Sequence, residues 1–165
     1  MARQYIAAVA KGTPATALLA QEKVIHTLHP YPHDPRSDAF GEEAATALDV
    51  APERLFKTLI ASVDGRLVCA VVPVAGRLDL KALAVAVGAK QTAMAEPAAA
   101  ARTTRYVVGG ISPLAQKTRL PVVIDETASR YPTVFVSAGK RGLQVELAPS
   151  DLARLTSAAL APIAT

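Results

Sequence analysis

Two apolar, β-branched runs stand out along the chain, Phe56–Val63 and Arg66–Val72, separated by Asp64-Gly65. An Asp-Gly pair between such runs predicts a two-residue hairpin, because both turn positions need φ > 0. Upstream, Thr13-Pro14 predicts a helix start, with Thr as N-cap and Pro at the first helical position, ending near Lys23. Val24–Leu28 then predicts a strand. His29-Pro-Tyr-Pro-His-Asp-Pro35 predicts a loop, since three prolines in seven residues remove donors and restrict their neighbours. Gly41–Leu48 predicts a short helix. Asp79 is positioned to cap a helix over Leu80–Val87 that Gly88 ends, and a further helix is expected over Glu96–Arg102.

The second half alternates short elements. Tyr106–Val108 and Val122–Asp125 are expected strands. Thr133–Ser137 and Leu143–Leu147 are expected to pair across Ala-Gly-Lys-Arg-Gly, and a last helix should run from Pro149-Ser-Asp151 to near Leu160. Some strands arrive as hairpins and others after helices, which argues against a purely parallel, doubly wound sheet. The expected fold class is mixed α/β: a barrel-like mixed sheet with helices packed outside. Residues 1–12 read as a loose leader and residues 13–165 as one domain.

Composition changes this picture only slightly. Half of the 165 residues are apolar, but 34 of them are alanine and only 4% of the chain is aromatic, so the core must rest on Leu, Val and Ile. A net charge of +4 permits an anionic partner without demanding one. The single cysteine excludes an internal disulfide framework and fits a reducing compartment. No apolar stretch approaches the roughly 18 residues of a membrane span, so a cytoplasmic setting is expected.

Candidate chemistry is sparse. Gly139-Lys140 resembles the end of a phosphate loop, but Arg141 stands where Ser or Thr is needed. Gly109-Gly110 reads either as a plain turn or as a floor where a ligand approaches the backbone. His26, His29 and His33 cluster at the proline-rich loop and read as loop histidines or as metal ligands. Cys69, in the middle of an apolar strand, reads as a buried small hydrophobe. Lys57 lies in an otherwise apolar strand, either on its exposed face or pointing into a cavity as a donor. Lys117, Arg119, Lys140 and Arg141 are either a solvated surface or the rim of an anion site, and Tyr31, Phe40 and Tyr106 suffice to line one small pocket.

In order along the chain, Thr13-Pro-Ala, Tyr31-Pro-His-Asp-Pro, Phe56-Lys-Thr-Leu, Val72-Pro-Val-Ala-Gly-Arg-Leu-Asp-Leu, Tyr106-Val-Val-Gly-Gly-Ile-Ser-Pro-Leu and Val136-Ser-Ala-Gly-Lys-Arg-Gly-Leu together resemble the Cys-tRNA(Pro) deacylases. These form the YbaK/EbsC group of the prolyl-tRNA editing superfamily, and the motifs span residue 13 to about 155. The resemblance implies a trans-acting aminoacyl-tRNA hydrolase without metal or cofactor. It implies that the acceptor end of proline tRNA is the partner, possibly together with prolyl-tRNA synthetase. The ester of a mischarged cysteine would be cleaved with help from that cysteine's own thiol. Lys57 would be the catalytic residue. Tyr31, Phe40, Thr58, Gly109, Gly110, Ser137 and Gln144 would bind the aminoacyl end, and Lys117, Arg119, Lys140 and Arg141 the tRNA. Gln144 departs from the family, which often has Asp there. A carboxylate that would bind the substrate ammonium or tune Lys57 is replaced by an uncharged amide. Deacylation of another mischarged tRNA such as Ala-tRNA(Pro), or noncatalytic tRNA or synthetase binding, remains open.

Overall fold

The computed structural model of the chain describes residues 12–165; the leader expected at its start lies, but for Gly12, outside them. Helix α1 (Pro14–Gln21) begins as its sequence dictates: Thr13 Oγ1 accepts from the Thr16 amide and Thr16 Oγ1 from the Thr13 amide. Strand β1 (His26–Pro30) runs two residues into the proline-rich segment, because it pairs antiparallel with β7 (Leu143–Leu147) from His26↔Leu147 to Pro30↔Leu143. Pro30 is tolerated there because β1 is an edge strand. Helix α2 (Phe40–Leu48) follows the loop and stops at Asp49, which adopts φ 53°.

The expected hairpin forms. Strands β2 (Phe56–Val63) and β3 (Arg66–Pro73) pair in register up to Val63↔Arg66, with Asp64 and Gly65 at φ 49° and 80°. Helix α3 (Leu80–Val87) is capped by Asp79, whose carboxylate accepts from the Ala82 amide, and ends at Gly88. The three residues of β4 (Thr92–Met94), too few to show a period, were not expected; the Asp64 carboxylate pins them by accepting from the Lys90 and Gln91 amides. Helix α4 (Pro97–Thr104) and strand β5 (Val122–Asp125) follow, then a 3-10 turn over Glu126–Arg130. Strand β6 (Val134–Lys140) pairs with β7 through a bulge between Ser137 and Lys140. Helix α5 (Pro149–Thr156) and strand β8 (Ala159–Ala161) end the order.

Three expectations fail. The sheet does not curl into a barrel: among the described residues there are two open sheets, β1-β7-β6 and β4-β2-β3-β5-β8, joined by a single bridge between Leu55 and Phe135. Short β4 and β8 form the outer edges of the larger sheet, so it has no long edges to close on each other. Tyr106–Val108 is not a strand. A turn bond from the Gly110 amide to the Val107 carbonyl folds it instead, leaving Val107 and Val108 54% and 38% exposed. The last helix stops at Thr156, because Ser157 turns left-handed and the chain then joins β5 as β8.

The larger sheet is buried on both faces, which is why β3 reads as an unbroken apolar run. Cys69 and Val71 face a core shared with Leu19, Phe56, Leu114, Val136 and Val145. Ala70 and Val72 face a second core with Leu83, Val123 and Ile163. A third cluster (Tyr31, Ala44, Ala45, Leu55, Val74, Phe135) seats α2 across the junction of the sheets. Among the described residues no helix is long and apolar enough to cross a membrane.

Candidate active site at the open edge of β2

β4 pairs only with Ala61–Val63, and one further bond runs from the Ala95 amide to the Ile60 carbonyl. The first half of β2 is therefore an open edge. The Leu55 carbonyl accepts from the Val74 amide and so faces β3. By the alternation of an antiparallel ladder, the Thr58 amide and carbonyl face the other way, toward the open edge. That edge forms one wall of a cavity of about 350 Å³. Phe40 and Gly41 of α2, Val108, Gly109 and Ile111, and the side chains of Ser137 and Gln144 supply the others.

Six of the eight residues expected at the aminoacyl end line this cavity: Phe40, Lys57, Thr58, Gly109, Ser137 and Gln144. Lys57 and Thr58, as strand neighbours, bracket the β2 edge from opposite faces. Lys57 is half-buried, and among the described residues no carboxylate forms an ion pair with it. Its ammonium is available to an anionic or ester oxygen. Two further polar atoms are buried without a partner, Thr58 Oγ1 and Gln144 Oε1. Leaving such an atom unsatisfied costs about 1–3 kcal/mol, so two of them among the residues lining one cavity are polar groups that the fold itself leaves unsatisfied.

The glycines act through space. Gly109 sits at φ 88°, and a Cβ there would stand 2.6 Å from the Phe40 ring. Gly110 does not line the cavity. Its carbonyl accepts from Ser137 Oγ at 3.0 Å, and a Cβ on it would meet the Lys140 backbone at 2.8 Å. Ser137 Oγ in turn accepts from the Gly139 amide at 3.1 Å. This hydroxyl has both roles occupied, so it clamps the 109–110 loop to β6. Tyr31 also stands behind the cavity rather than in it. Burial raises its hydroxyl above the ordinary phenol value, opposed by the Gly142 backbone and the Gln144 side chain, so Tyr31 backs Gln144.

The four expected tRNA-binding cations divide. Lys140 and Arg141 are exposed at the β6–β7 bulge. Arg141 lies on the cavity's rim: Nε and Nη2 donate to the Val108 carbonyl at 2.9 and 2.7 Å, and the guanidinium sits 4.9 Å from the Phe40 centroid. Lys117 is tied by its amide to the Thr104 carbonyl, and Arg119 donates to Ser157 Oγ at 2.6 Å beside a separate cavity of about 200 Å³. Neither lines the β2 cavity.

The remaining candidates have partners of their own. His26 contacts the Val24 carbonyl, His29 bonds Glu146 at 2.9 Å and His33 bonds Glu43 at 2.6 Å. Among the described residues no group of three metal-ligating side chains converges. Cys69 is fully buried, and burial pushes its thiol up to about 12, with Gln116 opposing. Sequence reasoning missed Asp38, Glu42, Met94 and Pro97, which complete the cavity's mouth. Met94 depends on β4, which has no periodic signature, and Asp38 and Glu42 carry no spacing that sets them apart from ordinary surface carboxylates.

A family model described as "Aminoacyl-tRNA editing domain" matches residues 33–155, which hold β2, both glycine loops and Gln144. The chain belongs to the aminoacyl-tRNA editing domain family. A curated relative from Enterococcus faecalis, named "Putative Cys-tRNA(Pro)/Cys-tRNA(Cys) deacylase EbsC", is 41% identical over 126 residues, covering 75% of this chain and 76% of its own. Two solved structures share the fold. A "putative trans-editing enzyme for prolyl tRNA synthetase" superposes with TM-score 0.79 at 24% identity, over 92% of this chain and 97% of its own. A hypothetical protein superposes with TM-score 0.83 at 23% identity, over 93% and 100%. Among editing domains, then, this one carries an uncharged Gln144 on its cavity wall.

Proposed function

We propose that this editing domain is a trans-acting deacylase that hydrolyses the ester of cysteine mischarged onto proline tRNA. A synthetase pocket separates near-isosteric amino acids poorly, so a second, hydrolytic site is needed for such errors. The observation that carries the reading is a cavity with donors but, among the described residues, without an activated nucleophile: Thr58 Oγ1 has no hydrogen-bond partner to take its proton. Lys57 and the Thr58 amide border it, while Ser137 Oγ is engaged and Cys69 is buried away from it.

A site of that kind suits a substrate that brings its own nucleophile. The cysteine thiolate attacks its ester carbonyl, forming a C–S bond. Collapse of the tetrahedral intermediate breaks the C–O bond to the ribose, which leaves with the proton the thiol gave up. Water then opens the cyclic thioester to free cysteine. Holding sulfur and carbonyl in line supplies much of the rate. Lys57 and the Thr58 amide stabilise the developing oxyanion. Gly109 lets the chain pass close to the aminoacyl group, with Phe40 as its apolar wall, and Tyr31, Gly110, Ser137 and Gln144 hold that wall in place. The acceptor end of proline tRNA is the macromolecular partner, in the cytoplasm, met after its release from prolyl-tRNA synthetase or in a complex with it. The unit that does this is residues 13–165.

The test is a comparison of Cys-tRNA(Pro), Ser-tRNA(Pro) and Ala-tRNA(Pro) as substrates of the purified protein. Rapid release from the cysteine ester alone is expected. Equal rates on cysteine and serine esters would replace the substrate thiol by activated water, and preference for alanine would reassign the specificity. No hydrolysis of any of them would leave a binding module.

A further inference from the structure

An exposed arginine normally samples many rotamers, and side-chain entropy resists holding it still. Arg141 is exposed and yet held three ways: two N–H groups chelate the Val108 carbonyl and one guanidinium face lies on Phe40. Among the described residues it pairs with no carboxylate. Both anchors line the β2 cavity, so the planar cation, itself exposed, is fixed beside them at the cavity's mouth. Half-exposed Val107 and Val108 and the exposed Lys140 flank it. Planar cation, apolar margin and neighbouring ammonium are the complement of a nucleotide: a base stacks on a guanidinium plane while its phosphate meets an amine.

We infer that Arg141 is a stacking platform for the 3′-terminal nucleobase of the tRNA, and that Lys140 takes the adjoining phosphate. The inference rests on the reading that the cavity receives the aminoacyl ester. That ester is carried by the terminal ribose, so the base on the same sugar lies within one ring of the cavity mouth, where Arg141 stands. Phe40 thereby serves both compartments, touching Gly109 beside the cavity and lying under Arg141. The platform is assembled before the RNA arrives, which spares the cost of ordering it on binding.

The experiment uses acceptor-stem minihelices carrying cysteine through a non-hydrolysable amide, with either adenosine or an abasic ribose at the 3′ end. Binding is measured to wild type, Arg141→Ala, Arg141→Lys and Lys140→Ala, with melting temperatures as fold controls. Wild type should prefer adenosine about tenfold, which is about 1.4 kcal/mol. Both Arg141 variants should lose that preference, because lysine keeps the charge but not the plane. Lys140→Ala should weaken both ligands alike and flatten the salt dependence. A wild type indifferent to the base, or an Arg141→Lys variant that keeps the full preference, overturns the platform. Failure of the deacylase reading looks different: wild type would leave every aminoacyl ester intact whatever its base preference.

Discussion

Gly109 and Phe40 are in direct contact, and any side chain on the glycine would occupy the ring's place: its Cβ would lie 2.6–2.7 Å from three ring carbons. Because Phe40 also seats Arg141, one added methyl would disturb both cavity and rim. Gly109→Ala is expected to lower kcat/KM at least tenfold and to cost about 1–2 kcal/mol for the left-handed backbone. Gly88→Ala is the control. It shares a positive φ of 69° but has nothing within 4 Å, so it should lose stability alone. Thermal melts and steady-state deacylation of both variants check the contrast; equal activity losses would deny Gly109 its special place.

Lys57→Ala should lose most hydrolytic activity while melting close to wild type, since its ammonium has no ion pair to break among the described residues. Removing one oxyanion donor costs roughly 10²–10³ in rate. Lys57→Arg should restore only part of this, because a planar fork does not fill the place of a point donor. An alanine variant with unchanged kcat takes Lys57 out of the mechanism.

Thr58 and Gln144 should trade stability against activity. Each holds a buried oxygen without a partner, so Thr58→Val and Gln144→Leu relieve that cost. For Thr58→Val, stability unchanged or raised by about 1 kcal/mol is expected; Gln144→Leu gains less or loses, because the bond of its side chain to the buried Tyr31 hydroxyl goes with it; both should lose hydrolysis. If either substitution destabilises the fold and spares activity, its oxygen is structural. Gln144→Leu should also remove the brake on Tyr31, whose ionisation, followed by ultraviolet difference spectra, then moves further up.

Part of this candidate site was legible from residue types and part, Thr58, Ser137 and Gln144, only through the family resemblance, and the reasons differ along the chain. Asp64-Gly65 specified the β2–β3 hairpin because a tight turn needs a local backbone conformation and nothing else. Lys57 was marked by its setting, a charge inside an apolar run. What no local pattern contained was pairing set at a distance. β4 exists because Asp64 holds residues 90 and 91, and β8 because α5 ends early at Ser157. The split into two open sheets turns on one bridge between Leu55 and Phe135, residues far apart in sequence. Likewise Lys117 and Arg119 share their charge with Lys140 and Arg141 but not their position, since of these four it is Arg141, at the β6–β7 bulge, that is bonded to the cavity-lining Val108.

Cys69 should be chemically silent in the native protein. Burial pushes its thiol up to about 12, so almost no thiolate exists at neutral pH. Iodoacetamide should leave it unmodified until denaturant is added, and Cys69→Ala should hydrolyse Cys-tRNA(Pro) at the wild-type rate. A folded but inactive Cys69→Ala would mean that the reactive sulfur belongs to the protein.

Acid should loosen the proline-rich loop through Glu43. Its carboxylate bonds His33 Nδ1 at 2.6 Å with one oxygen and accepts from the Asp34 amide at 2.8 Å with the other, tying the proline-rich loop to α2 just beyond Phe40. The His33 bond first, and then the Asp34 amide, hold Glu43 below the ordinary value of 4.5. A carboxylate held low in the folded state stabilises the fold above the unfolded value, and that contribution disappears as pH falls through the folded value. The tie is therefore intact at neutral pH and is lost progressively below about 4.5. Asp34, itself held low by Arg36, and Glu146, held low by Thr133, His29 and Arg54 against the opposing effect of burial, also titrate there, so a global melt would mix them. The local reading is hydrogen exchange at the Asp34 amide. In wild type its protection should fall as the pH drops below 4.5. In Glu43→Gln it should be weaker at neutral pH and flat across the same range. An acid-induced loss of protection that survives in Glu43→Gln would place the switch elsewhere in the loop.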